Sequence, residues 1–243
     1  MSEYLAPFEA MLAALFPPER VRAIDGGADW SRERGEVERS GFLDALAGED
    51  RLPFAVVADL WRAIGTHAAP REIGEVMIER AVPAPEDRSN ARALLLAAAM
   101  AGAAGRVLEL TVAYAGQRSQ FGKPIGRQQA VQQQLAVMAE QVTAMRLAVE
   151  LAAAGTTPWP SPAAAALAKT VAATYAPLVA NTAHAVHGAI GISAEHDLPL
   201  FTRRLHAWRL EGGGESLWAR RLGKSLLASR RTTLDWMRAE LFA

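Results

Sequence analysis

The chain has 243 residues, 51% hydrophobic and 21% charged, a globular composition with enough apolar side chains for a sizeable core. Lys and Arg number 26 and Asp and Glu number 26, so the net charge is zero, there is no basic excess to drive counterion release, and no nucleic-acid partner is expected. There is no cysteine, which removes disulfides, thiolate nucleophiles and iron–sulfur ligation.

At the N-terminus, Glu3 and Glu9 interrupt the apolar residues and no basic run precedes them, so the segment does not read as a signal peptide. The apolar stretch 93–105, bounded by Arg92 and Arg106, is shorter than the ~20 residues of a membrane span. The expectation is a soluble, cytoplasmic chain with no membrane contact. Short helical pieces are predicted at 4–15, 30–39, 54–64 and 71–80, separated by Pro17-Pro18, Gly26-Gly27, Pro53 and Pro70. Segment 82–87 reads as a linker, dividing an N-terminal helical domain (1–82) from a larger helical domain (88–243).

Four long helices follow. The first is predicted over 90–115. In the next, Val131, Leu135, Met138, Val142, Met145, Val149 and Ala152 recur in steps of four and three and make one apolar stripe. Gly155 stops that helix, and Thr156, Thr157, Pro158, Trp159 and Pro160 make a loop. Ser161-Pro162 then starts a third helix as N-cap and first helical residue. It runs towards His187 with Pro177 as a kink. The last helix is predicted over 215–241. The fold class is all-α: an antiparallel four-helix bundle with a smaller N-terminal helical domain.

Common chemistries drop out. Gly223-Lys224-Ser225 ends like a phosphate loop, but Trp218 stands where the loop needs its first glycine. Gly188 to Gly191 follows no strand and is not a dinucleotide fingerprint. His184 and His187 share a helix face without a third ligand, so they read as structural or surface residues and no metal is expected.

Three segments in the second half carry more information. The first is Gln117-Arg118-Ser119-Gln120-Phe121-Gly122-Lys123-Pro124-Ile125-Gly126, followed by Gln128, Gln129 and Gln132. The second runs from Val186-His187-Gly188 to Ile192, then through Glu195, His196 and Asp197 to Arg203-Arg204. The third is Leu210-Glu211-Gly212-Gly213-Gly214-Glu215. In this order they resemble the C-terminal helical domain of the acyl-CoA dehydrogenases, with its R-x-x-F-G-x-x-I, Q-x-x-G-G-x-G and E-G-T motifs. The resemblance spans about 94–227, and 1–80 resembles the family's N-terminal helical domain more weakly, through residues 17–23.

The resemblance implies FAD as cofactor and an acyl-CoA thioester as substrate. It places Arg118 and Gln120 at the pyrophosphate of a neighbouring subunit's FAD, Phe121 against the cofactor, Gln129 near the adenine and Gly188 where backbone meets dinucleotide. A guanidinium fork suits a phosphate, and a glycine permits close approach. Glu211 takes the place of the family's catalytic base, while Arg92 stands where a second branch of the family carries its base. An exposed carboxylate near a helix start is the competing reading of Glu211.

The sequence also departs from the family pattern. Ala185, Ala189, Gly213 and Leu210 replace motif residues, and no strand-like alternation appears between the two helical parts, where the family inserts a β-barrel. Two readings stay open: a short dehydrogenase subunit paired with a full-length partner, or a non-catalytic helical subunit that binds a partner or ligand and no flavin. An oligomer is expected in either case, because faces that would meet the barrel need cover and Trp208, Trp218 and Trp236 are costly to leave wet.

Overall fold

The computed structural model describes residues 3–82, 84–155 and 157–241. Pro83 of the expected linker and Thr156 of the expected loop lie outside the described residues. Among the described residues the structure is helical apart from one hairpin of two two-residue strands, with short 3-10 turns at Phe42–Asp44, Ile125–Arg127 and Gly188–Ile192. Five helices come first: α1 (Leu5–Leu15), α2 (Pro18–Asp25), α3 (Ser31–Arg39), α4 (Phe54–Thr66) and α5 (Glu72–Ala81). The bundle follows with α6 (Pro85–Gln117), α7 (Gln129–Ala153) and α8 (Pro162–His187), then α9 (Leu198–Leu210), α10 (Glu215–Ala228) and α11 (Thr233–Leu241). Strands β1 (Ser119–Gln120) and β2 (Lys123–Pro124) form the hairpin between α6 and α7.

Three expectations change. The link before the bundle is shorter than 82–87, because Pro85 opens α6 at a position where a missing N–H is harmless. The final helix is two helices. Ser229 leaves the helical conformation at ψ 143°, and the Thr232 hydroxyl accepts the Asp235 N–H at 3.2 Å, capping a new start. The segment between the third and fourth bundle helices also folds, as α9, which packs on α6 and α8.

The third bundle helix matches its signals. The Ser161 hydroxyl accepts the Ala164 N–H at 3.1 Å, and Gly188 ends the helix at φ 63°. Of the stripe on α7, Met138, Met145, Val149 and Ala152 are buried, while Val131, Leu135 and Val142 are only half-buried.

The main hydrophobic core runs from Leu5 to Trp208 through both halves of the chain, and a smaller cluster gathers Trp218 with Ala93, Ala165 and Ala166. The tightest point of the main core is the crossing of α4 and α6. A Cβ on Gly65 would stand 1.8 Å from the Ala99 carbonyl oxygen, and one on Gly102 would stand 1.9 Å from that of Arg62. The two backbones therefore touch, and glycine is required by contact rather than by φ.

By length and composition, α6 and the span Pro162–Ile192 could each cross a membrane, with mean hydropathy 1.6 and 1.3, a property the 93–105 stretch alone does not reveal. Here those windows are 72% and 61% buried against other helices. The expected wet tryptophans are also covered within the chain: Trp208, Trp218 and Trp236 are 4%, 1% and 4% exposed. Trp218 is held further by its indole N–H, which donates to the Gly212 carbonyl at 3.1 Å.

Candidate functional site

Arg118 stands where α6 ends. Its N–H donates to the Tyr114 carbonyl and its carbonyl accepts from Ile125, both at 2.8 Å, so the backbone is fixed while the guanidinium is exposed. No carboxylate pairs with that guanidinium among the described residues. In the hairpin Ser119 pairs with Pro124 and Gln120 with Lys123, leaving Phe121-Gly122 as a two-residue turn. Both turn residues have positive φ, 51° and 77°. Such a turn suits Asn-Gly or Gly-Gly, and a phenylalanine there is strained by roughly 1–2 kcal/mol. The strain gains no packing inside the chain, for Phe121 is 92% exposed. Gln120 is exposed too, and Gln129 is the exposed first residue of α7.

The second turn lies next to this one through a contact invisible to local sequence reading. Tyr114, one helical turn before Arg118, stacks on His187 with ring centroids 4.4 Å apart, and its hydroxyl donates to the His187 carbonyl at 3.4 Å. His196 meets the His187 ring edge-on at 4.8 Å. Gly188 follows His187 directly, at φ 63° with open space where a Cβ would be. The structure thus brings Arg118, Gln120, Phe121 and Gly188 to one end of the bundle.

The His187 ring is buried inside the chain. Its Nδ1 bonds the Ala183 carbonyl at 2.8 Å, and its Nε2 is buried without a partner. Burial pushes its pKa below the ordinary value and His196 and His184 add to that, against the pull of the Ala183 carbonyl.

Glu211 lies elsewhere. It is the residue at which α9 ends, not a helix start, and Gly212 and Gly213 follow at φ 66° and 104°. Its carboxylate is not free: Oε1 is 2.6 Å from Nη1 of Arg71 at the start of α5. Arg71 also reaches Glu75 at 3.4 Å, and Glu75 holds Arg92 of α6 at 2.7 Å. The chain Glu211–Arg71–Glu75–Arg92 joins the α9–α10 turn to α5 and to the first third of α6.

Arg92 and Arg118 are 26 residues apart on one helix, about 39 Å at 1.5 Å per residue. Glu211 and Arg118 therefore do not share a site within one chain. At the Arg118 end, an unpaired guanidinium and an open glycine turn fit a pyrophosphate. All four residues there are exposed. A cofactor ring would need walls from a second surface.

The family model described as acyl-CoA dehydrogenase, C-terminal domain, matches residues 85–227. The acyl-CoA dehydrogenase IpdE2 of Mycolicibacterium smegmatis is 41% identical over 118 residues, covering 49% of this chain and 37% of that protein. The 3-sulfinopropanoyl-CoA desulfinase of Paraburkholderia xenovorans is 35% identical over 58% of this chain and 36% of its own length. The chain spans less than half the length of the curated relatives it matches. Among solved structures, butyryl-CoA dehydrogenase from Megasphaera elsdenii superposes with TM-score 0.54 at 29% identity, over 64% of this chain and 38% of the other. A chain of the ChsE4-ChsE5 complex from Mycobacterium tuberculosis shares the fold over 95% of this chain and 99% of its own, with TM-score 0.79 and 17% identity.

Proposed function

The chain belongs to the acyl-CoA dehydrogenase family, and from that premise we propose that it is a helical subunit of an FAD-dependent acyl-CoA dehydrogenase, working in a cytoplasmic complex with a longer partner of the same family. The observation that carries this reading is the exposed pair of turns at Arg118 and Gly188, locked together by the Tyr114–His187 stack. Arg118 offers a charge-assisted contact to a pyrophosphate, Gln120 an amide, Gly188 an approachable backbone, and Phe121 an apolar surface for a ring or for the partner. Gln129 stands at the start of α7 for the adenine end.

Bound FAD would supply the acceptor for the β-hydrogen as hydride while a carboxylate takes the α-proton of the acyl thioester. Glu211 is this chain's candidate for that carboxylate. To act, it must be released from Arg71, whose guanidinium occupies the carboxylate oxygen that would take the proton. That pairing favours a second reading, in which the chain clamps FAD and the partner provides the base. The ChsE4-ChsE5 complex offers an instance of a chain with this fold inside an assembly.

The test is purification of the chain with its partner from the source organism, followed by flavin analysis of wild type and Arg118→Ala. The expected outcome is a yellow complex whose FAD affinity falls ten- to a hundredfold in the variant, the range of a lost charged hydrogen bond of about 1.5–3 kcal/mol. Equal flavin content in both would leave the chain a binding subunit without a flavin role. Glu211→Gln then separates the two readings of the base: lost turnover with retained flavin assigns it here, and full turnover assigns it to the partner.

A further inference from the structure

Lys169 lies in the middle of α8 and is fully buried. Among the described residues no carboxylate lies within ion-pair distance of it, a rare arrangement for a buried ammonium. Its Nζ donates to the Trp208 carbonyl, and the Met100 sulfur of α6 is 3.9 Å away. The carboxylates whose field reaches it are Glu211, in the turn after α9, and Glu215, at the start of α10. Glu215 is also gripped by Arg209, at 3.0 Å through Nε. Burial pushes the Lys169 amine down to about 8, against the pull of Glu211 and then Glu215.

The position of Trp208 gives the ammonium its purpose. Trp208 lies in the last turn of α9, where carbonyls lack helical partners. Were the helix to continue, the Gly212 N–H would close on the Trp208 carbonyl. Gly212 instead turns away at φ 66°, and among the described residues no backbone N–H outside the helix reaches that oxygen. The lysine supplies the missing donor, and its charge complements the negative end of α9.

We propose that Lys169 is a positioning residue for the Glu211 turn: its buried ammonium holds the Trp208 carbonyl in the last turn of α9 and so fixes the direction in which Glu211–Gly214 leave the helix. The functional weight of this inference rests on the assignment of Glu211 to the reaction. The ordering of the turn can be measured without turnover, so the two fail separately.

The test is hydrogen exchange on the full chain, comparing wild type with Lys169→Met, which keeps the length of the side chain but has neither donor nor charge. The expected result is exchange at least tenfold faster at Glu211–Trp218, with the rest of the molecule and the thermal midpoint unchanged or improved. A purely structural lysine would lower the midpoint and loosen all helices together, and that result, or unchanged exchange in the turn, overturns the proposal. If Lys169→Met does not fold, the wild-type chain decides by NMR. Amide signals of Glu211–Gly214 that titrate with a midpoint near 8 support the proposal, and signals indifferent to pH between 7 and 9.5 overturn it.

Discussion

Arg71 holds Glu211 through a 2.6 Å contact that spans 140 positions of sequence and joins the start of α5 to the turn after α9. Both side chains are about a third exposed, at 34% and 28%, so the pair is screened and its coupling is modest. A double-mutant cycle with Arg71→Gln and Glu211→Gln, followed by urea unfolding, is expected to give about 0.5–1 kcal/mol. A larger value would mean that the Glu75–Arg92 link transmits the contact into α6.

Lys169 makes stability depend on alkaline pH. Its folded value of about 8 lies below the ordinary 10.5, so between those values the unfolded chain binds more protons than the fold does. Stability therefore rises as pH goes from 8 to 10.5, by roughly 3 kcal/mol from this group. Lys169→Met should abolish that rise and be as stable as wild type, or more so, at pH 7. Thermal unfolding across that range measures both.

The acid limit has its own lysine-like cause in histidine. Burial depresses His187, and burial also depresses His184, with His206 adding to it. Above their unfolded values these rings are neutral in both states and cost nothing. Below about pH 6.5 the unfolded rings protonate first, so stability present above that pH is lost as pH falls towards the folded values. His187→Gln should flatten the loss. Tyr114→Phe should change little, since its hydroxyl bond is long, whereas Tyr114→Ala should destabilise by about 2–3 kcal/mol and loosen the Arg118 hairpin.

Phe121 offers a test in which stability and assembly move in opposite directions. Phe121→Asn would place Asn-Gly in a turn that requires positive φ twice, removing strain without losing internal contacts. The isolated chain should gain about 1 kcal/mol. Binding to the partner should weaken, if the ring is held out for that surface. Calorimetry on the chain and sedimentation of the complex read the two effects separately.

Gly65→Ala should be severe. The added methyl would stand 1.8 Å from a backbone oxygen, and no rotamer change can relieve that. About 3 kcal/mol of destabilisation, or failure to fold, is expected. Gly105→Ala, on α6 with open space around it, is the control.

The elements that were legible are those fixed by local chemistry. Ser161-Pro162 announced the start of α8, and Gly155 with the proline-rich loop after it announced the end of α7. Others were hidden because the same residues carry two meanings. Pro17-Pro18 reads as a breaker, yet Pro18 is the first residue of α2. Leu198-Pro199 likewise opens α9, whose buried residues do not form a clean stripe on sequence inspection. The Tyr114–His187 stack and the Arg71–Glu211 pair join positions 73 and 140 apart, and nothing local marks such partners.

The backbone contact between α4 and α6 also bears on the reassembly of a divided chain. A break in the chain at the short link before α6 would leave one fragment with an uncovered Gly65 face and another with an uncovered Gly102 face. Neither surface suits water, and each is shaped for the other alone. A larger side chain at 65 or 102 would block their re-association, so the two fragments rebuild this core only with glycine kept on both sides of the crossing.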